Sequence, residues 1–454
     1  MSEAIVFLDR LHFAMNVLFH YLFPQLTMGL AVIILYFKTM ALRTGEQKYH
    51  RAFRFWVRIF GINFVFGVVT GIPMEFLFGT NWAAFSRRAG GVIGNTLAME
   101  GLFAFIMESA FLGLLMFGEK RLSPLAHWFT ALMVFTGTWL SGYFILATNA
   151  WMQHPVAYSV DAQGQFVLES LWGLLTNPWL FWQYLHNMNA TLITASFVVA
   201  SIGAFYLLTG THARAARLFV RTGVIIAALT TVMQIYPFGH GNARQVFTHK
   251  PAEAAAMEGL FKTRKGAPMV LLGQPNMRTQ SLDNPVEIPY FDSFLVTLDP
   301  FAEIKGLDAF PKDQWPDSVP LVFYAYHTMI LLGTAFAGIM LLAALMLWRG
   351  TLMRSRWMLW TLMLSAPLPY LATAAGWITA EAGRQPWLVY GLMRTAEGAS
   401  PHVSSGNAML TLLGFLALYV GMGFLYVILM LRVIGEGPEP GDAPARNGAP
   451  EEAS

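Results

Sequence analysis

The chain consists of nine long apolar segments separated by more polar ones. The apolar segments cover residues 13–36, 54–74, 94–117, 125–149, 185–209, 217–237, 319–348, 357–377 and 408–432. Each has about 20 residues or more, the length that an α-helix needs to cross the hydrocarbon core of a bilayer. The pattern therefore predicts an all-α fold, a polytopic membrane helix bundle with about nine transmembrane helices.

The polar segments divide the chain into four parts. Residues 1–237 contain predicted transmembrane helices 1 to 6, and residues 319–434 contain helices 7 to 9. The segment 238–318 between them is rich in proline, glycine and acidic residues, so we expect an extramembrane loop rather than a separate domain. The tail at 435–454 has the proline-, glycine- and glutamate-rich composition of a disordered segment.

Lysine and arginine are unevenly distributed between the loops. The loops after helices 1, 3, 5 and 7 are richer in them than the alternate loops. Because basic loops stay on the cytoplasmic side of a membrane, this bias predicts that the N-terminus lies outside and that the C-terminus, with its tail, lies inside. The segment 238–318 is then on the outer side.

Composition narrows the chemistry that such a bundle can carry. Hydrophobic residues make up 56% of the 454-residue chain and charged residues 12%, against about 25% charged in soluble domains. The absence of cysteine excludes disulfides, iron–sulfur clusters and thiolate ligands, so any metal must be held by histidine, methionine or carboxylate. The net charge is +3, and no basic surface interleaved with aromatic residues points to a nucleic-acid partner.

Five side chains that could bind a metal are spread over five helices but share one depth. His20, Glu100, His186 and Met329 lie in predicted helices 1, 3, 5 and 7, and Glu381 follows helix 8. At about 1.5 Å per residue, all five fall within about 15 Å of the outer surface. Taken singly, a membrane histidine is more often a hydrogen-bonding partner between helices, and a methionine is usually packing. Five donors at one depth, without a His-x-x-x-His pair, fit several hemes better than one zinc site.

Two carboxylates in one apolar helix are the least expected feature of the pattern. Glu108 follows Glu100 by eight residues and so lies about 12 Å deeper in the membrane. An intramembrane carboxylate is costly to keep, and proton relay is a function that it suits. Arg384 follows Glu381 by three residues. It either neutralises Glu381 alone or also binds an anionic group such as a propionate.

The donor types suit two kinds of heme. One histidine with one methionine suits a six-coordinate, electron-transferring heme. A single histidine or carboxylate leaves an axial position of the iron open, which oxygen chemistry requires.

Seven stretches of the chain resemble subunit I of the cytochrome bd family of quinol oxidases. They are RLHFAMNVLFHYLFPQLTMGL (10–30), MEFLFGTNW (74–82), LAMEGLFAFIMESAFLGL (97–114), NAWMQHPV (149–156), AAAMEGLFKT (254–263), VEIPYF (286–291) and AEAGRQPW (380–387). Together, in this order and spacing, they are highly specific, and the resemblance extends over about residues 5–435. The short segment 238–318, with its GAPMVLLG and VEIPY motifs, is similar to the short-loop, cyanide-insensitive-type branch of the family.

The resemblance implies three hemes and their ligands. His186 and Met329 would ligate a low-spin heme b. His20, Glu100 and Glu381 would serve a high-spin heme b and a heme d, or a third heme b in place of heme d. Which of these three residues holds which heme stays open.

The resemblance also implies roles for residues around the hemes. Glu108 and Ser141 fall on proton-route positions, and Arg384 and Trp377 match residues that flank the hemes. The predicted catalytic residues are Glu100, Glu108, Glu381 and Ser141.

By resemblance, the chain would be the heme-carrying subunit of a terminal respiratory oxidase, a quinol:oxygen oxidoreductase acting on ubiquinol or menaquinol. It would oxidise quinol at the outer face and reduce O2 to water with protons taken from the cytoplasm, which builds a membrane potential without pumping. It would be a multi-pass protein of the bacterial cytoplasmic (inner) membrane, surrounded by lipid. Its partners would be a homologous subunit II and, in many relatives, a single-helix small subunit.

The loop departs from the family pattern at the residues expected to bind quinol. Family loops usually read Gln-Pro-x-Lys before Met-Glu, whereas this chain reads KPAE (250–253) before ME (257–258). Glu258 is retained, but Lys250 and Glu253 stand where Gln and Lys are usual. The Lys250–Glu253 pair is either a charge swap or a solvated helix face.

Two other functions remain open at the level of sequence. The altered loop motivates a bd-like oxidase whose electron donor is not quinol. Glu100 and Glu108 would also suit a proton-coupled transporter, for which broken helices or repeated halves would be expected, and the sequence pattern indicates neither.

Overall fold

The computed structural model describes residues 3–401 and 403–438, and within them nine helices are long and apolar enough to cross a membrane. We number them α1 to α9: Glu3–Thr44, Gln47–Thr80, Ala83–Phe117, Pro124–Gln153, Pro178–Thr209, Ala213–His249, Val319–Trp348, Arg356–Arg384 and Ser405–Glu436. The predicted all-α membrane helix bundle is confirmed over this part of the chain. From residue 439 onward, the predicted disordered tail lies outside the described residues.

Three of the long helices contain a local irregularity. In α3, Glu100–Phe105 form a π-helical segment, and α6 is kinked within Gln234–Gly239, where Tyr236 has extended rather than helical backbone angles. The helix α8 consists of two segments, Arg356–Leu364 and Leu368–Arg384. A π-helical segment changes the direction in which the side chains on either side of it point, and such segments are frequent at functional sites.

Short elements join the long helices. The short α-helices are Leu171–Leu175, Pro251–Glu258, Phe291–Thr297 and Thr395–Gly398, and the 3₁₀ turns are Leu307–Ala309, Lys312–Gln314 and Leu352–Arg354. The strands are β1 Tyr158–Val160, β2 Phe166–Leu168, β3 Arg264–Lys265, β4 Met269–Asn276, β5 Ser281–Ile288, β6 Glu303–Ile304, β7 Trp387–Val389 and β8 Met393–Arg394. Within the described chain they pair as antiparallel ribbons, β1 with β2, β3 with β6, β4 with β5 and β7 with β8.

Most of the nine helices of the described chain extend beyond their predicted bounds, and the extensions of α6 and α8 matter most for the site. The helix α6 ends at His249 rather than at residue 237, so the predicted loop segment begins with a helical stretch. The helix α8 ends at Arg384 rather than at residue 377, which places Glu381 inside its last turn instead of after it. Both extensions are polar, so their hydropathy falls below that of a membrane segment although their backbones remain helical.

The bundle packs around α5, the most buried of the nine long helices of the described chain. It contacts α1, α4, α6 and α8. The helix α1 approaches α5 closely at Gly29, where an added Cβ would clash with the Thr191 carbonyl and with Ala195. Small residues of this kind let membrane helices pack backbone to backbone. The helix α9 is the most exposed of the nine and presents a largely apolar surface.

Candidate functional site

A cavity of about 530 Å³ lies between α5, α6, α7, α8 and the segment that follows α6. His186, Met329 and Trp377 line it from the helices, and Glu258 and Asp292 line it from that segment. Lys250 and Glu253 line it as well, so three residues predicted to surround a heme share one space with the three residues predicted to bind quinol. Its volume is in the range of small-molecule and cofactor sites, which is about 300–1,000 Å³.

Gln234, at the start of the kinked segment of α6, contacts His186 at the wall of this cavity. The amide nitrogen of Gln234 lies 3.2 Å from His186 Nδ1 and 3.3 Å from Nε2, and it donates to the His186 carbonyl at 3.1 Å. Asn189 Nδ2 in turn donates to Gln234 Oε1 at 2.6 Å, which fixes the amide group. Gln234 contacts His186 and was not identified by the sequence analysis.

Met329 reaches the same cavity from α7, opposite a glycine of α8. A Cβ on Gly376 would lie 2.8 Å from Met329 Sδ, so glycine leaves room for the thioether. An imidazole from α5 and a thioether from α7 on one cavity are the donor set of a six-coordinate, electron-transferring heme. The residues of this cavity therefore fit the group that the sequence predicts for His186 and Met329.

His20 lies on α1 against α2, outside the lining of this cavity. Its Nδ1 and Thr70 Oγ1 are 2.9 Å apart, and Thr70 itself donates to the Phe66 carbonyl at 2.8 Å. Thr70 therefore accepts from the imidazole, which places the proton on Nδ1 and leaves the Nε2 lone pair available for a metal. A Cβ on Gly71 would lie 3.0 Å from His20 Cε1, so glycine leaves space beside the ring.

Tyr21 connects the surroundings of His20 to those of His186. Its hydroxyl donates to Oδ1 of Asn187, the residue after His186. Its ring packs edge-on against Trp377, with 5.7 Å between the ring centroids. The two predicted heme regions therefore adjoin across α1, α5 and α8.

Glu100 and Glu108 both face α4. Ser141 Oγ donates to Glu100 Oε1 at 2.9 Å, and Thr138 Oγ1 donates to Glu108 Oε1 at 2.8 Å. A Cβ on Gly137 would lie 3.0 Å from Glu108 Cβ, so this glycine lets α4 approach the buried carboxyl group. Ser141 thus lies beside a predicted heme ligand. Thr138, one turn earlier on the same face of α4, was not predicted.

Glu381 also faces α4, further along that helix. Asn149 Nδ2 and Gln153 Nε2 donate to Glu381 Oε1 at 2.8 and 3.2 Å, and Arg384 pairs with Oε2. Arg384 is buried, and its Nε and Nη1 have no hydrogen-bond partner among the described residues. Buried guanidinium donors left over after an ion pair suit an anionic group such as a heme propionate. The free donors favour anion binding in addition to neutralisation of Glu381.

Asn149 and Gln153 were missed as individual residues, although both belong to the stretch NAWMQHPV (149–156). Their spacing of four places both on one face of α4. Two amide side chains on one face near the end of an apolar helix are the signal that could have identified them as partners of a carboxylate.

The Lys250–Glu253 pair is buried, so the alternative of a solvated helix face is wrong. Lys250 is 1% and Glu253 is 3% exposed, and the two side chains form an ion pair. Lys250 Nζ also donates to Gln153 Oε1 and lies 4.6 Å from the centre of the Trp179 ring. Burial lowers the pKa of Lys250 and raises the pKa of Glu253, and the charge of each partner counteracts the shift of the other. Because Gln153 also binds Glu381, the ion pair of the loop is linked to that carboxylate.

Replacing Lys250 by methionine is expected to lower the free energy of unfolding by about 3–5 kcal/mol, because it leaves the Glu253 carboxyl group buried without a counter-ion. Thermal unfolding of the purified complex should show a lower midpoint. The double variant K250M/E253M removes both charges and should recover most of the loss. Lys262→Met, at an exposed position of the same segment, is the matched control. A wild-type midpoint for K250M would contradict the prediction.

Known proteins resemble the chain over nearly its whole length. The family model described as cytochrome bd terminal oxidase subunit I matches residues 8–438. Cytochrome bd ubiquinol oxidase subunit 1 from Bacillus subtilis (strain 168) is 34% identical, over 97% of this chain and 95% of its own. Cytochrome bd-II ubiquinol oxidase subunit 1 from Escherichia coli (strain K12) is 30% identical, over 96% of this chain and 97% of its own. Among solved structures, the bd oxidase from Geobacillus thermodenitrificans superimposes with a TM-score of 0.88 at 28% identity, over 96% of this chain and 99% of that chain.

Proposed function

Because the chain belongs to the cytochrome bd terminal oxidase subunit I family, we propose that it oxidises quinol at the outer face of the membrane and delivers the electrons to O2, which is reduced to water. Membership makes it a subunit of a quinol-oxidising terminal respiratory oxidase that contains heme and assembles with a subunit II. It is a multi-pass protein of a bacterial cytoplasmic membrane. The heme types, the residues that bind them, the donor site and the orientation are proposals.

His186 and Met329 are proposed to hold a low-spin heme b. When bound, such a heme supplies one-electron transfer. The single observation that supports this most strongly is that both side chains line one cavity, with glycine at 376 leaving space at the Met329 sulfur. Gln234 orients His186, and Trp377 contributes a flat apolar wall.

His20, Glu100 and Glu381 are proposed to serve a high-spin heme b and a heme d, or a third heme b. The hydrogen bonds of His20 to Thr70 and of Glu381 to Asn149 orient these donors, as residues around metal ligands commonly do. Arg384, with two buried N–H groups free of protein partners, would bind a propionate. The residue that holds each of these hemes is not assigned.

Glu108 and Ser141 are proposed to carry protons from the cytoplasmic side toward the oxygen site. Glu108 is buried in the bundle and is joined to α4 through Thr138, while Ser141 binds Glu100 one turn further along α4. With the N-terminus outside and the C-terminus inside, this path runs from the inner side toward Glu100. Protons consumed inside and released outside would build a potential without pumping. Quinol, O2 and a single-helix small subunit complete the proposed partners.

The alternatives raised by the sequence are not retained. The relatives over nearly the whole chain are oxidase subunits rather than transporters. The non-quinol donor was motivated by the exchanged residues of the loop. Lys250 and Glu253 form a buried pair of opposite charges on the same cavity as Glu258, which favours a charge swap within a retained donor site.

Replacing Glu258 by alanine is expected to lower quinol-dependent oxygen uptake by about 100-fold, the range in which a positioned acid or base acts. Glu258 lines the cavity but is not among the proposed heme ligands, so the visible spectrum should be unchanged. Oxygen uptake with a short-chain quinol measures the effect. Glu287→Ala, an exposed carboxylate of β5 outside the cavity lining, is the control. Unaltered uptake by the Glu258 variant would mean that this segment is not the donor site.

The proposed function is tested by a dithionite-reduced minus air-oxidised visible spectrum of the purified complex. A heme b α-band together with a far-red chlorin band is expected and would identify heme d beside heme b. Heme b bands without the far-red band would indicate a third heme b instead. A featureless spectrum from folded protein would overturn the assignment of hemes to these residues.

A further inference from the structure

Two buried carboxyl groups from separate elements line the loop side of the cavity. Glu258 is the last residue of the helix Pro251–Glu258, and Asp292 is the second residue of the helix Phe291–Thr297. They are 4% and 3% exposed. Glu258 Oε2 and Asp292 Oδ2 are buried and have no hydrogen-bond partner in the described part of the chain. Two acceptor atoms that burial has removed from water, and that no protein group satisfies, point to a ligand that donates protons.

The Glu258 carboxyl group and the helix that carries Asp292 are held in place by their surroundings. The Tyr326 hydroxyl of α7 and the Val270 N–H of β4 interact with the Glu258 carboxyl group. Ser293, the residue after Asp292, accepts a hydrogen bond at Oγ from the Ala267 N–H and donates one to the Ala302 carbonyl oxygen, both at 2.8 Å. These bonds tie the helix that carries Asp292 to two neighbouring segments. The Asp292 carboxyl group therefore lies in a well-packed part of the cavity wall.

Among the described residues no cation contributes to the pKa of either acid, although other ionisable groups line the same cavity. His240 and Arg244 line it from α6, Tyr326 from α7, and Lys250 and Glu253 from the helix after α6. Lys250 is already paired with Glu253. Tyr326 contributes a hydroxyl group, and His327 beside it has both ring nitrogens on the Phe323 and Val270 carbonyls, at 2.8 and 3.0 Å.

Burial disfavours the charged forms of both acids. It raises the pKa of Asp292 to about 7. Burial, and then the charge of Asp292, raise the pKa of Glu258 well above its usual range. A general base works best when its pKa is close to the operating pH. Asp292 is therefore able both to take a proton and to release it again.

We propose that Asp292 is a second proton acceptor for the quinol, beside Glu258, a role that rests on the proposed quinol oxidation. Oxidation of one quinol to quinone breaks two O–H bonds and releases two protons and two electrons. One proton passes to the ionised Asp292 carboxylate, and the other passes to Glu258 once Glu258 has released its own proton to the outer side. The two electrons would be taken up by the one-electron acceptor that His186 and Met329, on the same cavity, would hold. Both carboxyl groups then release their protons to the outer side.

A second proton acceptor on the cavity means that proton transfer from quinol does not have to wait for a single carboxyl group to be emptied. One carboxylate holds one proton and must release it before it accepts the next. Because Asp292 is partly ionised near neutral pH, it gives one proton of a quinol a place to go while Glu258 is still protonated. If the two acids had a purely structural role and shared one proton, loss of Asp292 would not change the pH profile of kcat.

The test compares Asp292→Asn with the wild type in the complete oxidase complex. The asparagine variant should lower kcat for short-chain ubiquinol by about 100-fold, with a smaller change in KM. Oxidation of a one-electron donor that carries no transferable proton should stay at the wild-type rate, as should the heme spectrum. Glu287→Gln, the same chemical change at an exposed position of β5, should leave both rates unchanged.

The pH profile gives a readout that a structural role would not move. As a base, Asp292 is active above its pKa, so wild-type kcat should rise as the pH increases through about 7. This limb should be absent from Asp292→Asn and present in the conservative variant Asp292→Glu. The redox-induced infrared difference spectrum should contain a protonated-carboxyl band that Asp292→Asn lacks.

The outcomes separate this role from the proposed function. Wild-type kcat, pH limb and infrared band in Asp292→Asn would overturn the role of Asp292 and leave quinol oxidation standing. Failure of the wild-type complex to oxidise quinol, with hemes present, would overturn the proposed donor and the role of Asp292 together. If Asp292→Asn does not assemble, loss of both the pH limb and the carboxyl band in an assembled Asp292→Glu complex would also overturn the role.

Discussion

The variant His186→Ala will lose the low-spin heme b and retain the high-spin hemes. The proposed ligands of the other hemes lie on other helices. Glu100 and Glu381 are hydrogen-bonded to residues of α4, so their positions do not depend on His186. Quinol-dependent oxygen uptake should fall by more than about 100-fold, since residues that only orient a ligand are already worth about 10–100-fold. The reduced minus oxidised spectrum of the purified complex, with total heme content, measures both effects.

Met329→Leu is the companion variant and should give the same spectral loss. Leucine keeps the apolar volume next to Gly376 but has no thioether to offer to iron. Met346→Leu makes the identical change at the far end of α7, outside the cavity lining, and should keep every heme. Loss of all hemes in equal proportion from either ligand variant would indicate misfolding and would contradict separate heme sites.

The variant Glu108→Gln will slow turnover by about 10²–10⁴-fold with all hemes in place, the range expected when a positioned proton-transfer group is lost. Glutamine has nearly the same shape and can still accept the hydrogen bond from Thr138 at its carbonyl oxygen. Its neutral amide has no proton to exchange in a relay, so the effect should be on rate rather than on assembly. Steady-state oxygen uptake and the heme spectrum, recorded on the same preparation, separate the two.

Two further variants separate loss of the Glu108 carboxyl group from loss of its hydrogen bond and from a general effect of replacing an acid by an amide. Thr138→Val removes the hydrogen bond but keeps the carboxyl group, so it should cost no more than about 10-fold, the worth of one ordinary hydrogen bond. Glu46→Gln makes the same acid-to-amide change at an exposed position between α1 and α2 and should have no effect. Wild-type turnover in Glu108→Gln would refute a relay through this residue.

The sequence does not decide whether the charged residues at 250 and 253 face solvent or are buried, but the packing of the structure does. From the residues alone, a lysine and a glutamate three apart on a helix are compatible with a solvent-facing pair. Gln153, Trp179 and Gly383 surround the pair from α4, α5 and α8 and exclude water from it. The same packing links the pair through Gln153 to Glu381, so a change in the loop reaches a proposed heme ligand.

The membrane helices and the helices that carry the donors were predictable from hydropathy and spacing. A segment that crosses a bilayer must satisfy its backbone groups internally, so a long apolar run is constrained to be helical whatever its neighbours are. That constraint acts along the chain, which is why the nine helices and the assignment of His20, Glu100, His186 and Met329 to four of them follow from residue order. This constraint does not apply to the polar ends of α6 and α8, so hydropathy did not predict them. Their helicity depends on contacts outside the apolar core.

Which polar groups meet was decided only by the tertiary structure. Gln234 on His186, Thr138 on Glu108 and Gln153 between Lys250 and Glu381 join residues far apart in sequence, or on helices whose mutual rotation hydropathy does not fix. Asp292 belongs to none of the resembling stretches and lies in a short helix outside the membrane. Its place beside Glu258 depends on how that helix folds back over the cavity, because burial and pairing are properties of the packed chain rather than of any one segment.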